Sequence, residues 1–205
     1  MYKNIIKRLI DFLLATIGII VLIPVWIILA IAIKVDDPGP VLFSQKRFAK
    51  DGKDGKPRYF KIYKYRSMKT STPKDTPTHM LENPEQYITK VGGFLRKTSL
   101  DELPQIFNIW MGQMAIVGPR PALYNQTDLY DERAKYGANK VAPGLTGWAQ
   151  INGRDELEIE EKAKLDGEYV KKMSFLFDLK CFFGTFISVA KQDGVVEGGT
   201  GALKK

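Results

Sequence analysis

The chain has 205 residues, enough for one domain with an ordinary buried core and no need of a disulfide scaffold. Its apolar fraction of 44% and charged fraction of 26% exclude a disordered or collagen-like chain. One Cys and one His exclude an internal disulfide and the usual zinc sites, so any metal must be held by oxygen ligands, which points to Mg²⁺, Ca²⁺ or Mn²⁺.

The net charge of +8 is unevenly placed: residues 41–70 hold ten Lys/Arg against only Asp51 and Asp54, the whole of the excess. Such a field attracts nucleic acid, anionic headgroups or phosphorylated substrates, and a solvated hairpin is the plain alternative.

In chain order, residues 12–33 carry no charge. As a helix they would extend ~33 Å, about one bilayer core. The run is too long for a signal-peptide core, which favours a membrane anchor. Pro24 sits in its middle, where it removes a backbone hydrogen bond and favours a kink. Lys3, Lys7 and Arg8 precede the run, and Lys34, Lys46 and Arg47 follow it. Basic flanks on both sides suit a segment that enters and leaves by the cytosolic face; a single Pro-containing span is the alternative.

Asp37-Pro38-Gly39-Pro40 is a boundary. Residues 41–48 and 58–65 are predicted strands joined by a loop over 50–56, the second with an alternation of Tyr59, Lys61 and Tyr63. Residues 70–84 are predicted to be an exposed loop with a solvated His79. Helices are predicted over 101–111, 122–136, 155–173 and 174–191. The last is crowded with Phe, which suits a helix lying in the headgroup plane; a buried core helix is the alternative. The class is therefore α+β: a membrane element over residues 1–36 and a helix-rich cytosolic domain over 37–205.

Walker A, G-x-G-x-x-G and nucleophile-elbow motifs are absent, so catalysis falls to carboxylates, Arg and Lys. The densest candidate is Asp101-Glu102, preceded by Arg96-Lys97 and followed by Pro104. Ser99 and Glu102 have capping-box spacing, the structural alternative. Functionally, a carboxylate at a helix start beside cations stays ionised and can sit next to Mg²⁺ and phosphate. Two further candidates are Gly118-Pro119-Arg120-Pro121, where prolines restrict the backbone around an Arg, and the Gly-rich run from Pro143 to Arg154. Glycines, Trp148 and Arg154 there suit a nucleotide, and an Asn-Gly hairpin is the alternative.

Together, Lys7-Arg8…Asp11 before a Pro-broken helix, Gly39-Pro40-Val41…Gln45-Lys46-Arg47, Lys64-Tyr65-Arg66-Ser67-Met68, Arg96-Lys97-Thr98-Ser99-Leu100-Asp101-Glu102-Leu103-Pro104-Gln105, Val117-Gly118-Pro119-Arg120-Pro121 and Pro143-Gly144-Leu145-Thr146-Gly147-Trp148-Ala149-Gln150-Ile151-Asn152-Gly153-Arg154 resemble the bacterial sugar transferases, the monotopic phosphoglycosyl transferases. Pro119-Arg120-Pro121-Ala122-Leu123-Tyr124 looks most like capsule-type members. The resemblance implies transfer of a sugar 1-phosphate from a UDP-sugar to undecaprenyl phosphate, with UMP released. It also implies a ping-pong route through a phosphosugar ester on Asp101, with Glu102 as its partner and Mg²⁺ at the pair. Arg120 and Arg154, and less strongly Lys64, Arg66 and Arg96, are then expected at the substrate. Lys7, Arg8, Asp11 and Pro24 are expected to belong to a re-entrant helix at the inner membrane. The implied partners are the UDP-sugar, the polyprenyl phosphate and membrane lipid, and not nucleic acid. Many members have Ser-Pro at the break; this chain has Ile23-Pro24.

Overall fold

The computed structural model describes residues 1–72, 83–153 and 157–191. His79 and Arg154 fall outside the described residues. After a π-helical turn at Tyr2–Ile6, two apolar helices follow, α1 (Lys7–Val21) and α2 (Ile23–Asp36), bent by 63°. By helical rise each is only about 21–23 Å long. No single helix among the described residues is long and apolar enough to cross a bilayer.

The bend has a local cause. Leu22 leaves helical geometry (φ −88°, ψ 7°), and Pro24 occupies the first turn of α2, where its missing N–H does no harm. The indole Nε1 of Trp26 reaches back to donate to the Ile19 carbonyl at 3.3 Å. That bond supplies a donor at the break, a task for which the Ser hydroxyl of a Ser-Pro break is unavailable here.

Both ends of this helix pair are tied to the folded body. On α1, Arg8 donates to the carbonyls of Ile109 and Trp110 at 2.6 and 2.8 Å, and Asp11 accepts from the Ile116 N–H at 3.0 Å. Lys7 is buried, 2.7 Å from Asp178 and 3.8 Å from Asp11. Counting Lys7 and Arg8 as a free basic flank therefore needs correction: the fold commits them to protein contacts. At the far end Asp36 accepts from the Val91 N–H at 2.7 Å, and Arg66 pairs with the Asp37 carboxylate at 3.4 Å and donates to its carbonyl.

β1 (Leu42–Phe48) and β2 (Tyr59–Tyr65) form the expected antiparallel hairpin, in register from Leu42↔Tyr65 to Phe48↔Tyr59. Its alternation puts Phe60 and Ile62 into the core with Ala15, Ile109 and Met114, and carries Lys64 onto the same face. α3 (Lys90–Lys97), which the sequence reading missed, starts at Thr89, whose hydroxyl accepts from the Gly92 N–H at 2.9 Å. The expected helix over 101–111 divides into a 3₁₀ turn at Leu100–Glu102 and α4 (Gln105–Trp110), separated at Pro104.

β3 (Ala115–Val117) pairs in parallel with β4 (Gly144–Thr146). A Cβ on Gly144 would lie 2.1 Å from the Gly118 N, and one on Gly118 would lie 2.5 Å from the Ala142 carbonyl. These glycines of two separate motifs allow two backbones to touch, so neither is kept for approach to a ligand, and over the described residues 143–153 a strand and a short helix at Trp148–Ile151 stand in place of a hairpin. Helix α5 runs over Thr127–Lys135 only, because residues 122–124 lie along β1: Phe48 N–H donates to the Ala122 carbonyl at 3.0 Å. α6 (Trp148–Ile151), α7 (Ile159–Lys172) and α8 (Phe175–Lys191) complete the fold.

Apolar side chains remain exposed along α1 and α2 (Leu13, Ile17, Ile28, Ile31) and along α8 (Leu176, Phe183, Phe186, Ile187). A water-soluble surface does not hold a continuous set of this kind without covering it.

Candidate active site

Asp101 and Glu102 are consecutive in the 3₁₀ turn and both are more than nine-tenths buried. Ser99 enters the turn with a positive φ of 57° and makes no side-chain cap, so the capping box is not formed. The Glu102 carboxylate instead turns to two cations. It accepts from Lys64 Nζ at 2.8 Å and from Arg120 at 2.6 Å (Nη2 to Oε1) and 3.3 Å (Nη1 to Oε2). The two contacts from Arg120 fork onto the two carboxylate oxygens, the geometry for which guanidinium is suited. Lys64 also lies 3.7 Å from Asp101 Oδ2.

The two carboxyls therefore differ. Desolvation works against Glu102, but Arg120 and Lys64 beside it hold it well below the usual carboxylate range. Burial pushes Asp101 up, helped by the neighbouring Glu102 charge and only opposed by Lys64, Arg96 and Arg120. This corrects the simple expectation that a helix start and nearby cations lower Asp101: Glu102 takes the closest cations.

Arg120 is held from behind. Arg133 Nη1 donates to its backbone carbonyl at 2.9 Å, while Arg133 Nε and Nη2 engage Asp166 Oδ2 at 2.7 and 2.6 Å. Asp166 is fully buried, and desolvation raises its pKa against the pull of Arg133. A third polar cluster joins the start of α1 to the body: Asp178 accepts from Lys7 at 2.7 Å, Tyr2 at 2.6 Å and Tyr169 at 2.8 Å. The single Tyr169 hydroxyl proton is shared with the Val117 carbonyl, whose oxygen lies 2.9 Å away, one residue before the Gly118-Pro119-Arg120 turn.

Of the residues expected at the substrate, Lys64 and Arg120 meet at the dyad and Arg96 contributes charge to Asp101. Arg66 is buried in its pairing with Asp37 at the exit of α2. Arg133, Asp166, Tyr169 and Asp178 were not singled out from sequence. Their partners lie elsewhere in the chain, and Arg133 and Asp166 stand in helices already rich in charged residues, so no local pattern marks them.

Among the described residues no group of three or more His, Cys, Asp or Glu gathers to hold a metal. The dyad still fits Mg²⁺, which takes one or two carboxylates and fills its other positions with water and substrate phosphate. Asp101, with Lys64 at ion-pair distance only, has acceptor capacity left for it.

A cavity of about 740 Å³ opens beside the dyad. Glu102, Ser99 and Arg120 stand in its wall together with residues of α1, β3, α4, β4, α6 and α8 and with Leu22 and Leu103.

Residues 2–192 match the family described as bacterial sugar transferase. The chain is 43% identical over 190 residues to the UDP-glucose:undecaprenyl-phosphate glucose-1-phosphate transferase of Escherichia coli (strain K12), covering 89% of this chain and 40% of that protein. It is 40% identical over 196 residues to the uncharacterized sugar transferase EpsL of Bacillus subtilis (strain 168), covering 93% of this chain and 90% of that one. It is 34% identical over 202 residues to the exopolysaccharide production protein ExoY of Sinorhizobium fredii (strain NBRC 101917 / NGR234), covering 92% and 87%. The chain thus spans about two fifths of the length of the E. coli transferase and nearly all of the two shorter relatives.

Proposed function

This chain belongs to the bacterial sugar transferase family, and from that premise we propose that it transfers a sugar 1-phosphate from a UDP-sugar to undecaprenyl phosphate, releasing UMP. The observation that carries the reading is the buried Asp101–Glu102 pair, gripped by Lys64 and Arg120 beside an apolar cavity. A phosphate-bearing donor and a lipid acceptor need that combination of charge and apolar surface in one place. The name of the E. coli relative makes UDP-glucose the first donor to test.

In this reading an Asp101 oxygen attacks the β-phosphorus of the UDP-sugar. The bond from that phosphorus to the bridging oxygen breaks, UMP leaves with the electron pair, and the sugar phosphate remains as an ester on Asp101. An oxygen of the acceptor phosphate then attacks the same phosphorus and returns the Asp101 carboxylate. Burial raises the basicity of Asp101, which suits an oxygen nucleophile once ionised. Glu102 stays ionised and orients Lys64 and Arg120, whose charge offsets that of the diphosphate. Arg154 is proposed at the nucleotide on its place in the Gly-rich motif alone. Mg²⁺ at Asp101 and Glu102 would neutralise the diphosphate and stabilise the departing UMP.

We assign α1 and α2 to a re-entrant membrane helix at the cytoplasmic membrane, with the active site on the cytosolic face. Two features support this: the 63° bend, and the docking of Asp11 and Asp37, at opposite ends of the pair, onto one body. The exposed Phe face of α8 extends the same apolar surface. We propose that the reaction is the first membrane step of capsule, exopolysaccharide or glycoprotein glycan synthesis.

Product analysis with purified full-length chain tests the reading. Donor and polyprenyl phosphate together should yield UMP and a lipid diphosphosugar, and Asp101→Asn should yield neither. Release of UDP in place of UMP would show a glycosyltransferase instead. UMP release and a phosphosugar on Asp101, found by mass spectrometry with donor alone, would support the two-step route; UMP only after acceptor is added would replace it with direct transfer.

A further inference from the structure

The cavity beside the dyad is walled almost wholly by apolar groups: Leu14 and Gly18 of α1, Ile106 of α4, Ile151 of α6, and Phe182 and Phe186 of α8. One polar side chain in it is unexplained. Gln150 is 8% exposed, lines the cavity, and makes no hydrogen bond through either amide atom among the described residues. Nearby hydroxyls are satisfied, since Thr146 and Thr185 share a hydrogen bond of 2.5 Å and Thr185 also donates to the Cys181 carbonyl. An unpaired buried amide is costly, and a ligand that pairs it removes that cost.

We infer that this cavity is the acceptor site: the phosphate-proximal part of a polyprenyl chain lies along α1 and α8, and the Gln150 amide N–H donates to the lipid's phosphate end. The inference rests on the proposed reaction and deepens it by naming the acceptor's seat. Three observations select this occupant. Apart from the hydroxyls of Ser99, Thr146, Thr185 and Ser188, the polar side chains of the lining are Glu102, Arg120 and Gln150, so an apolar chain ending in an anion finds apolar walls with one cation and one amide to meet it. The volume, about 740 Å³, is that of a small-molecule pocket, so only the first part of a long chain is enclosed. Ile17, Val21 and Phe186 line the cavity and are also exposed, so the remainder of the chain leaves along surface that is itself apolar. Gln150 would thus contact the acceptor and not the nucleotide, although it sits in the Gly-rich motif first read as a nucleotide site.

Two experiments on the full-length chain in phosphatidylethanolamine/phosphatidylglycerol vesicles test this. In the first, a diazirine-bearing polyprenyl phosphate is photolysed and adducts are located by mass spectrometry. Adducts on α1, Ile106 and α8, removed by excess unlabelled polyprenyl phosphate but not by phosphatidylglycerol, are expected. Labelling elsewhere, or equal competition by phosphatidylglycerol, overturns the assignment, the latter showing an ordinary lipid groove. This readout needs no turnover, so it stands even where the proposed reaction fails. In the second, Gln150→Met keeps the volume and removes the amide. Its melting temperature should be equal or higher, because an unpaired polar group is gone, while KM for the acceptor rises at least tenfold and KM for the donor moves less than twofold. Equal rises in both KM values, or an unchanged acceptor KM, overturn the role of Gln150; Gln150→Leu provides the same measurement if the Met variant folds poorly.

Discussion

Arg133 Nη1 lies 2.9 Å from the backbone carbonyl oxygen of Arg120, so the arginine that grips Glu102 is itself positioned by a second arginine. Arg133 in turn is neutralised by the fully buried Asp166. Arg133→Met strands that carboxylate and should destabilise the chain by about 3–5 kcal/mol. The pair Arg133→Met/Asp166→Leu removes both charges and should recover most of the stability. It should not recover activity, leaving kcat/KM about five- to tenfold low, because the hydrogen bond to the Arg120 carbonyl is still missing. Thermal melts with steady-state kinetics separate the two roles, and recovery of both would show that Arg133 serves stability alone.

Asp101→Asn should stabilise the chain as it abolishes turnover. Burial holds the Asp101 carboxyl above its ordinary value, so ionising it costs folding free energy. The native chain loses stability as pH rises from the unfolded pKa of about 3.9 through the raised folded value, and the Asn variant does not. Its advantage, about 0.5–2 kcal/mol where an active-site cost is relieved, should be absent at low pH and full at neutral pH. Denaturation across pH in detergent checks the sign.

Glu102→Gln should show the opposite sign. Glu102 is held below its ordinary value by Arg120 and Lys64, so it adds stability that is full above the unfolded pKa and is lost as pH falls through the lowered folded value. Replacing it weakens charge-assisted hydrogen bonds, a loss of about 1.5–3 kcal/mol at pH 7 that shrinks on acidification. KM for the UDP-sugar should rise as well, because Lys64 and Arg120 lose the group that orients them.

Topology is testable with cysteines placed at Lys3 and Lys34, both exposed, since the native Cys181 is fully buried and gives little background. Both positions should react from the cytosolic side. Pro24→Leu should straighten the α1–α2 bend and bring one of the two labels to the other side. Trp26→Phe removes the donor to the Ile19 carbonyl and should cost about 1–3 kcal/mol with the bend retained. Labelling of the native chain from opposite sides would replace the re-entrant arrangement with a span.

Much of this protein was written locally. The period-2 run over residues 58–65 dictates the second strand of the hairpin and puts Lys64 on the face of Phe60 and Ile62, because alternate strand residues share one side. Pro24 dictates a break in an uncharged helix, because it lacks the N–H that a continuous helix needs. Asp101-Glu102 before Pro104 marks the turn proposed to react. Tertiary structure alone decided which of the two carboxyls receives the cations, since Lys64 and Arg120 arrive from different parts of the chain. It also turned Lys7, Arg8 and Asp11 from membrane flank into docking groups, set Gly118 against Gly144, and placed Asp166 behind Arg133. Local sequence periodicity reports which face of an element is buried, whereas a buried charge or a glycine contact depends on a partner far along the chain, and only folding determines which partner that is.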